Sequence, residues 1–309
     1  PHLTTRRQRQ MCIRDSGSSS GSAAAVSDYM VPLAIGSQTG GSVLRPASFT
    51  GILGFKPTFG TISRSGMSPI SQRLDHPGIY ANCVEDIDLV ASVILSYDSE
   101  DLDMIQNYQY KNDFNLNKSL KFGFVRGPVW NFGDEDMKNG IEEFVKNSQL
   151  DIEELDLGKD FDDAAKAHEI IMNGSIANSL MNYYQTDKSN LHPFTVKRIE
   201  AGIPVSASDY VSAIEQAKKM EQILKQFFKK YDAIITPAAP GQAPRDLMNT
   251  GNAIFNGYWT MMGVPAISLP FLKGKDDLPI GIQFIANWSE DLKLLEICKE
   301  VLKKEKLAD

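Results

Sequence analysis

GSSSGSAAAVSDYMVPLAIGSQTGGSVLRPASFTGILGFKPT, residues 17–58, is the stretch on which the reading of the whole chain turns. It holds two Gly/Ser-rich turns, GSSSGS at 17–22 and GSQTGGS at 36–42, joined by small and apolar residues. SAAAVSDYMV has the alanines and small side chains of a closely packed helix, and VPLAI reads as a short buried strand, with Pro32 marking the change. After Gly40-Gly41, Ser42 to Phe49 reads as a short helix interrupted by Pro46, followed by the glycine-punctuated GILGFKPTFG. Two adjacent glycines ahead of a serine open backbone conformations closed to other residues, so successive N–H groups can turn to one point beside the Ser42 hydroxyl. Taken singly, GGS is an ordinary turn and GSSSGSAAA a flexible linker or a helix start capped by Ser22. The information lies in their joint occurrence.

Outward from this stretch the pattern alternates. Val84 to Ser96 has helical spacing and ends at DSEDLD, which reads as a solvated turn. LKFGFV at 120–125 is a strand candidate, 135–147 a helix and LDIEEL a short strand; 161–230 is mostly helical, closing with an amphipathic segment from Ala207 to Lys230 whose basic end suits the helix dipole. YDAIITPAAP reads as a buried strand entering a proline-stiffened loop, GNAIFNGYWTMMG as a helix, VPAISLPF and LPIGIQFIA as buried strands, and Glu290 to Lys304 as a last amphipathic helix. This predicts an α/β fold, a mixed β-sheet with helices on both faces. Residues 1–16, arginine-rich and without periodicity, read as a leader outside the fold; 17–309 read as the folded domain.

The 309 residues carry 32 basic and 39 acidic side chains, a net charge of −7. There is no basic footprint for nucleic acid and no polybasic membrane patch, and no apolar run long enough for a membrane-spanning helix. The expected location is the cytoplasm. Cys12, Cys83 and Cys298 form no CxxC or Cys/His cluster, so they read as small buried hydrophobes and not as a disulfide framework or zinc site.

In these motifs the chain resembles the amidase signature family of serine hydrolases. The resemblance is dense over 17–60, continues through SRSGMSPISQRLDHPGIYANCVEDIDLV (63–90), and returns at TPAAPGQAP (236–244), FNGYWTMMGVPAISLP (255–270) and LPIGIQFI (278–285). It implies an α/β/α sandwich, here incomplete at the N-terminus, and a Ser-Ser-Lys triad. Ser42 would be the nucleophile and Ser18 the bridging serine, after a cis Gly17-Ser18 bond. The N–H groups of Thr39, Gly40, Gly41 and Ser42 would form the oxyanion hole. The triad lysine normally lies upstream of the first serine motif, and residues 1–17 contain no lysine. Lys56 in GFKPT matches a different family position. The chain therefore reads as an amidohydrolase of a small linear amide, truncated and lacking its general base, with no metal or organic cofactor implied.

Two neighbours of the nucleophile are substrate-side candidates. Arg45 could grip a carboxylate, or form a structural ion pair. Gln38 could position the loop by hydrogen bonding. His168 and His192 lie in the less specific helical region; His76 sits in LDHPG, read as a turn with polar partners. A Ser/His/Asp arrangement using His76 and Asp75 is disfavoured because adjacent residues rarely serve one line of proton transfer. Phe255, Tyr258, Trp259 and Met262 could line a pocket, though such spacing is more often core. The alternatives are the A subunit of a tRNA-dependent amidotransferase, against which FNGYWTMMGVPAISLP resembles free-standing amidases, and a non-catalytic protein on the same fold. A homodimer remains open.

Overall fold

The computed structural model describes residues 19–110, 119–246 and 249–305. In chain order the elements are α1 (Ser20–Ser27), β1 (Leu33–Gln38), α2 (Leu44–Thr50), β2 (Leu53–Lys56), β3 (His76–Ala81), α3 (Val84–Ile94), β4 (Lys121–Phe124), α4 (Glu135–Asn147), β5 (Asp151–Glu154), α5 (Ala164–Asp187), α6 (Pro193–Gly202), α7 (Ala207–Phe227), β6 (Ala233–Pro237), α8 (Ile254–Met261), β7 (Ala266–Lys273), β8 (Pro279–Ile285) and α9 (Asp291–Lys304). The eight strands form one sheet in the order β1-β3-β2-β7-β8-β6-β4-β5. Pairings are antiparallel from β1 across to β6, and parallel between β6, β4 and β5. This is the mixed sheet that the alternating pattern predicts.

Helices cover both faces, as the side-chain parity along β8 shows. Gly281 and Gln283 face α2 and α8: Ser48 lies 2.9 Å from where a Gly281 β-carbon would sit, and Gln283 Nε2 donates to the Phe255 carbonyl at 2.7 Å. Phe284, of opposite parity, packs on Phe122 and Phe271, and Phe271 stacks on Phe144 of α4. Phe255, Tyr258, Trp259 and Met262 belong to the buried core between these layers. Core is thus what they are, and not a pocket wall.

Three local readings change. β1 is an edge strand among the described residues, and its Ile35 is 48% exposed, so VPLAI is not a buried strand. Pro46 does not interrupt α2, because it occupies the first turn, where an N–H has no intrahelical acceptor to lose. LDHPG is not a turn throughout: His76 opens β3, whose six residues are all buried. Proline and glycine inside HPGIYA hide that strand from a propensity reading. The glycine is needed for packing, since a β-carbon on Gly78 would meet Val43 Cγ2 at 2.7 Å. Of the described cysteines, Cys298 is buried and Cys83 half-buried. No helix of the described residues is long and apolar enough to cross a membrane.

Candidate active site

Residues 39–43 form the connection from the end of β1 to α2, and Gln38 organises it. Its buried Oε1 accepts the N–H groups of Val43 at 2.8 Å and Leu44 at 3.0 Å, while Nε2 donates to Thr260 Oγ1 at 2.9 Å. One carboxamide thus satisfies the opening turn of α2 and ties it to α8. Gln38 is a positioning group whose polar atoms are all taken up by protein.

Every carbonyl in the loop is held from outside. His168 Nε2 lies 3.1 Å from the Thr39 oxygen; Thr260 Oγ1 donates to the Gly40 carbonyl at 2.7 Å; the Arg45 N–H donates to Gly41 at 2.9 Å; the Tyr80 hydroxyl donates to Ser42 at 2.8 Å. The N–H groups of Thr39, Gly40, Gly41 and Ser42 have no acceptor among the described residues. In a trans peptide the C=O and the following N–H point in opposite directions. Pinning the carbonyls of Thr39, Gly40 and Gly41 against protein therefore turns the N–H groups of Gly40, Gly41 and Ser42 away from their respective anchors. Ser42 is half-exposed, and its hydroxyl makes no hydrogen bond among the described residues. Ser18 and the Gly17-Ser18 bond lie outside the described residues.

The remaining candidates separate. Arg45 is buried, gives one N–H to the Gly251 carbonyl at 3.0 Å, and leaves Nε without a partner; burial lowers its pKa to about 10. Lys56 is fully buried, donating to the carbonyls of Val264 at 2.5 Å and Pro57 at 3.1 Å. Burial lowers it to about 7, an effect opposed by the Asp291 carboxylate. His76 Nδ1 is 2.6 Å from the Leu74 carbonyl, and Asp75 turns elsewhere: it accepts the Thr39 hydroxyl at 2.5 Å and the N–H groups of Ile70 and Ser71 at 2.8 Å each. The two neighbours share no proton path. His192 caps α6 by accepting from the Phe194 N–H. No three His, Cys, Asp or Glu side chains among the described residues assemble as metal ligands.

Asp75 also borders a cleft of about 920 Å³, with Arg64, Asp101, Ser175, Asn178 and Tyr210 among its walls. The DSEDLD segment that reads as a solvated turn is in fact clamped. The Arg64 guanidinium meets Asp101 at 2.8 Å and Asp103 at 2.7 Å, and its hydrogen bonds hold the largely buried Asp101 at about 2. Ser175 and Tyr210 line the same wall, and their hydroxyls, 3.2 Å apart, connect inward to the buried Ser71 hydroxyl 2.9 Å from that of Ser175.

A profile of the amidase family matches residues 14–295. The chain belongs to the amidase family. The A subunit of the glutamyl-tRNA(Gln) amidotransferase of Agathobacter rectalis is 32% identical over 317 residues, covering 90% of this chain and 63% of that protein. The chain thus spans less than two thirds of that relative. The crystal structure of a glutamyl-tRNA(Gln) amidotransferase A subunit from Thermotoga maritima superposes with a TM-score of 0.74 at 28% identity, over 93% of this chain and 65% of that one. A crystal structure described as an amidase gives a TM-score of 0.78 at 22% identity, over 91% of this chain and 64% of that one, a likeness of fold.

Ser42, its glycines and Gln38 are readable as candidates from the sequence because they lie together in one short stretch. The sequence does not mark His168, Thr260 and Tyr80 as neighbours of this loop, nor Asn256, whose Oδ1 stands 2.4 Å from where a Gly41 β-carbon would sit. Each is brought to the loop by tertiary packing, and the stretches of resemblance at 63–90 and 255–270 contain Tyr80, Asn256 and Thr260 without assigning them a role.

Proposed function

We propose that this amidase removes ammonia from a primary carboxamide through an acyl-enzyme on Ser42. The observation that carries the reading is the row of N–H groups, without acceptors among the described residues, that runs up to a half-exposed serine. Ser42 Oγ attacks the carboxamide carbon, and the carbonyl π electrons move onto oxygen, where the N–H groups of Thr39 to Ser42 receive the charge. Collapse breaks the C–N bond, the amino group leaves as ammonia with the proton given up by Ser42, and water then splits the acyl ester, its hydroxyl going to the carboxylic acid and its other proton restoring the Ser42 hydroxyl. Ser18 would relay the proton to the triad lysine of the family pattern. Residues 1–17 hold no lysine and Lys56 is committed to two carbonyls, so neither supplies that base.

The relatives named as amidotransferase A subunits favour glutamine as the amide and a partner that takes the ammonia. That reading has better support than a generic hydrolase. A free-standing amidase of small linear amides is the second reading, supported by the run FNGYWTMMGVPAISLP.

An oxyanion hole still accelerates acylation when a triad member is missing, by about 10³–10⁴ over water. Treatment with a fluorophosphonate at pH 9, where hydroxide substitutes for the base, should therefore modify Ser42 ahead of every other serine, read by peptide mass spectrometry. Ser42→Ala should remove that adduct. Uniform slow labelling of surface serines would count against the assignment. Ammonia release from glutamine against that from simple aliphatic amides then separates the two readings.

A further inference from the structure

We infer that His168 is a positioning residue for the oxyanion loop, acting as an Nε2–H donor that fixes the Thr39-Gly40 peptide; its catalytic consequence rests on the role given to Ser42 above. His168 lies far along the chain on α5, yet its ring is wedged between the serine loop and α8. A β-carbon on Gly40 would sit 3.6 Å from His168 Cε1, and one on Gly257 only 2.7 Å from Nδ1. The ring is buried, with Nε2 at 3.1 Å from the Thr39 oxygen. A carbonyl oxygen can only accept, so Nε2 carries the hydrogen. Burial lowers the imidazole to about 4, which leaves it neutral at physiological pH and makes this one tautomer the working form.

The consequence is geometric. The Thr39-Gly40 peptide is a rigid plane, and Gly40 at its far side accepts either sense of rotation. The other carbonyls of the loop are held by Thr260, Arg45 and Tyr80, but the Thr39 carbonyl is held by His168 alone among the described residues. Without that hydrogen bond the plane can turn, carrying the Gly40 N–H out of the oxyanion site. Loss of one oxyanion donor commonly costs 10²–10³ in rate. A plane that is loosened and not inverted should cost less, on the order of 10–100-fold.

Three measurements on the full chain decide this. In ¹⁵N-histidine NMR of the wild-type protein at pH 7, His168 should show a protonated Nε2 and a bare Nδ1; the opposite tautomer would overturn the proposal. His168→Gln restores an N–H close to the Nε2 position, whereas His168→Phe keeps the bulk without it. Fluorophosphonate labelling of Ser42 should retain its maximal rate within about 3-fold in H168Q and lose about 10-fold or more in H168F, with the half-saturating probe concentration unchanged. Equal rates in the two variants would sink the idea. If Ser42 of the wild type proves unreactive, the acyl-enzyme reading fails. The tautomer and the Gly40 amide resonance, shifted in H168F and native-like in H168Q, still decide the positioning role.

Discussion

The Asn256 carboxamide presses on Gly41: a β-carbon there would stand 2.4 Å from Asn256 Oδ1, with Ala253 Cβ at 2.9 Å. Asn256 has no room to turn aside, because Nδ2 donates to the Ala238 carbonyl at 3.0 Å and to Gln283 Oε1 at 3.3 Å. Gly41→Ala must therefore displace the serine loop, at a cost of about 1–3 kcal/mol. Urea denaturation should show that loss together with loss of Ser42 labelling. Gly21 of α1 is the control, since nothing lies within 4 Å of its β-carbon position. Gly21→Ala should stabilise by about 0.5–1 kcal/mol, and a destabilised G21A would contradict the helix described there.

Gln38→Leu keeps the volume and removes the acceptor. The Val43 and Leu44 N–H groups, both buried, are then left without a partner, at about 1–3 kcal/mol for each unsatisfied group. Denaturation midpoints should fall accordingly. A neutral Q38L would show that water or the backbone replaces the carboxamide.

His168 predicts how stability responds to acid. Its folded pKa of about 4 lies below the ordinary 6.5, so between these values the unfolded chain binds the extra proton. Stability should fall as pH drops from about 6.5 to about 4, by roughly 3 kcal/mol in all, and this contribution should level off below. Buried His76, also held well below its ordinary value, adds in the same direction. His168→Gln should flatten part of the slope; an unchanged slope would mean that the ring is solvated.

Lys56 acts at the other end. It is buried and held at about 7 against an ordinary 10.5, so the unfolded chain again carries the extra proton between those values. Its contribution to stability should grow as pH rises from about 7 to about 10. Lys56→Met should lose that rise when both proteins are melted across the range, whatever the variant's stability at pH 7. Parallel profiles would show that the Nζ group reaches water.

The serine loop was legible because its glycines and its hydroxyl are adjacent in the sequence, although neither Gly40 nor Gly41 takes the positive φ that such a pair permits, and Gly41 answers to the close approach of Asn256. Most helices and strands were legible from periodicity, including the strand at Lys121 and the helix at Glu135. β3 was not, because Pro77 and Gly78 are poor strand formers, the glycine standing where Val43 approaches the backbone. Asp101 looked solvated because its partner Arg64 lies far off in the chain. The same limit hid His168 and Thr260: a histidine or threonine in a helix carries no local mark of the carbonyl it will meet. Gln38 was legible as a hydrogen-bonding position, while its two N–H partners and its link to Thr260 needed coordinates.

The anchors of the serine loop also set a timetable. Ser42 leaves the ribosome before the groups that hold its loop: the Thr39 carbonyl waits for residue 168 and the Gly40 carbonyl for residue 260, while β2 waits for β7 before it has a neighbour on that side. A nascent or prematurely ended chain stopping before residue 254 would carry the complete serine motif without α8, β7 or β8. Pairings of such long sequence separation close slowly. Reactivity at Ser42 should accordingly be among the last properties to return when the unfolded chain is diluted into buffer, well after helical signal has recovered.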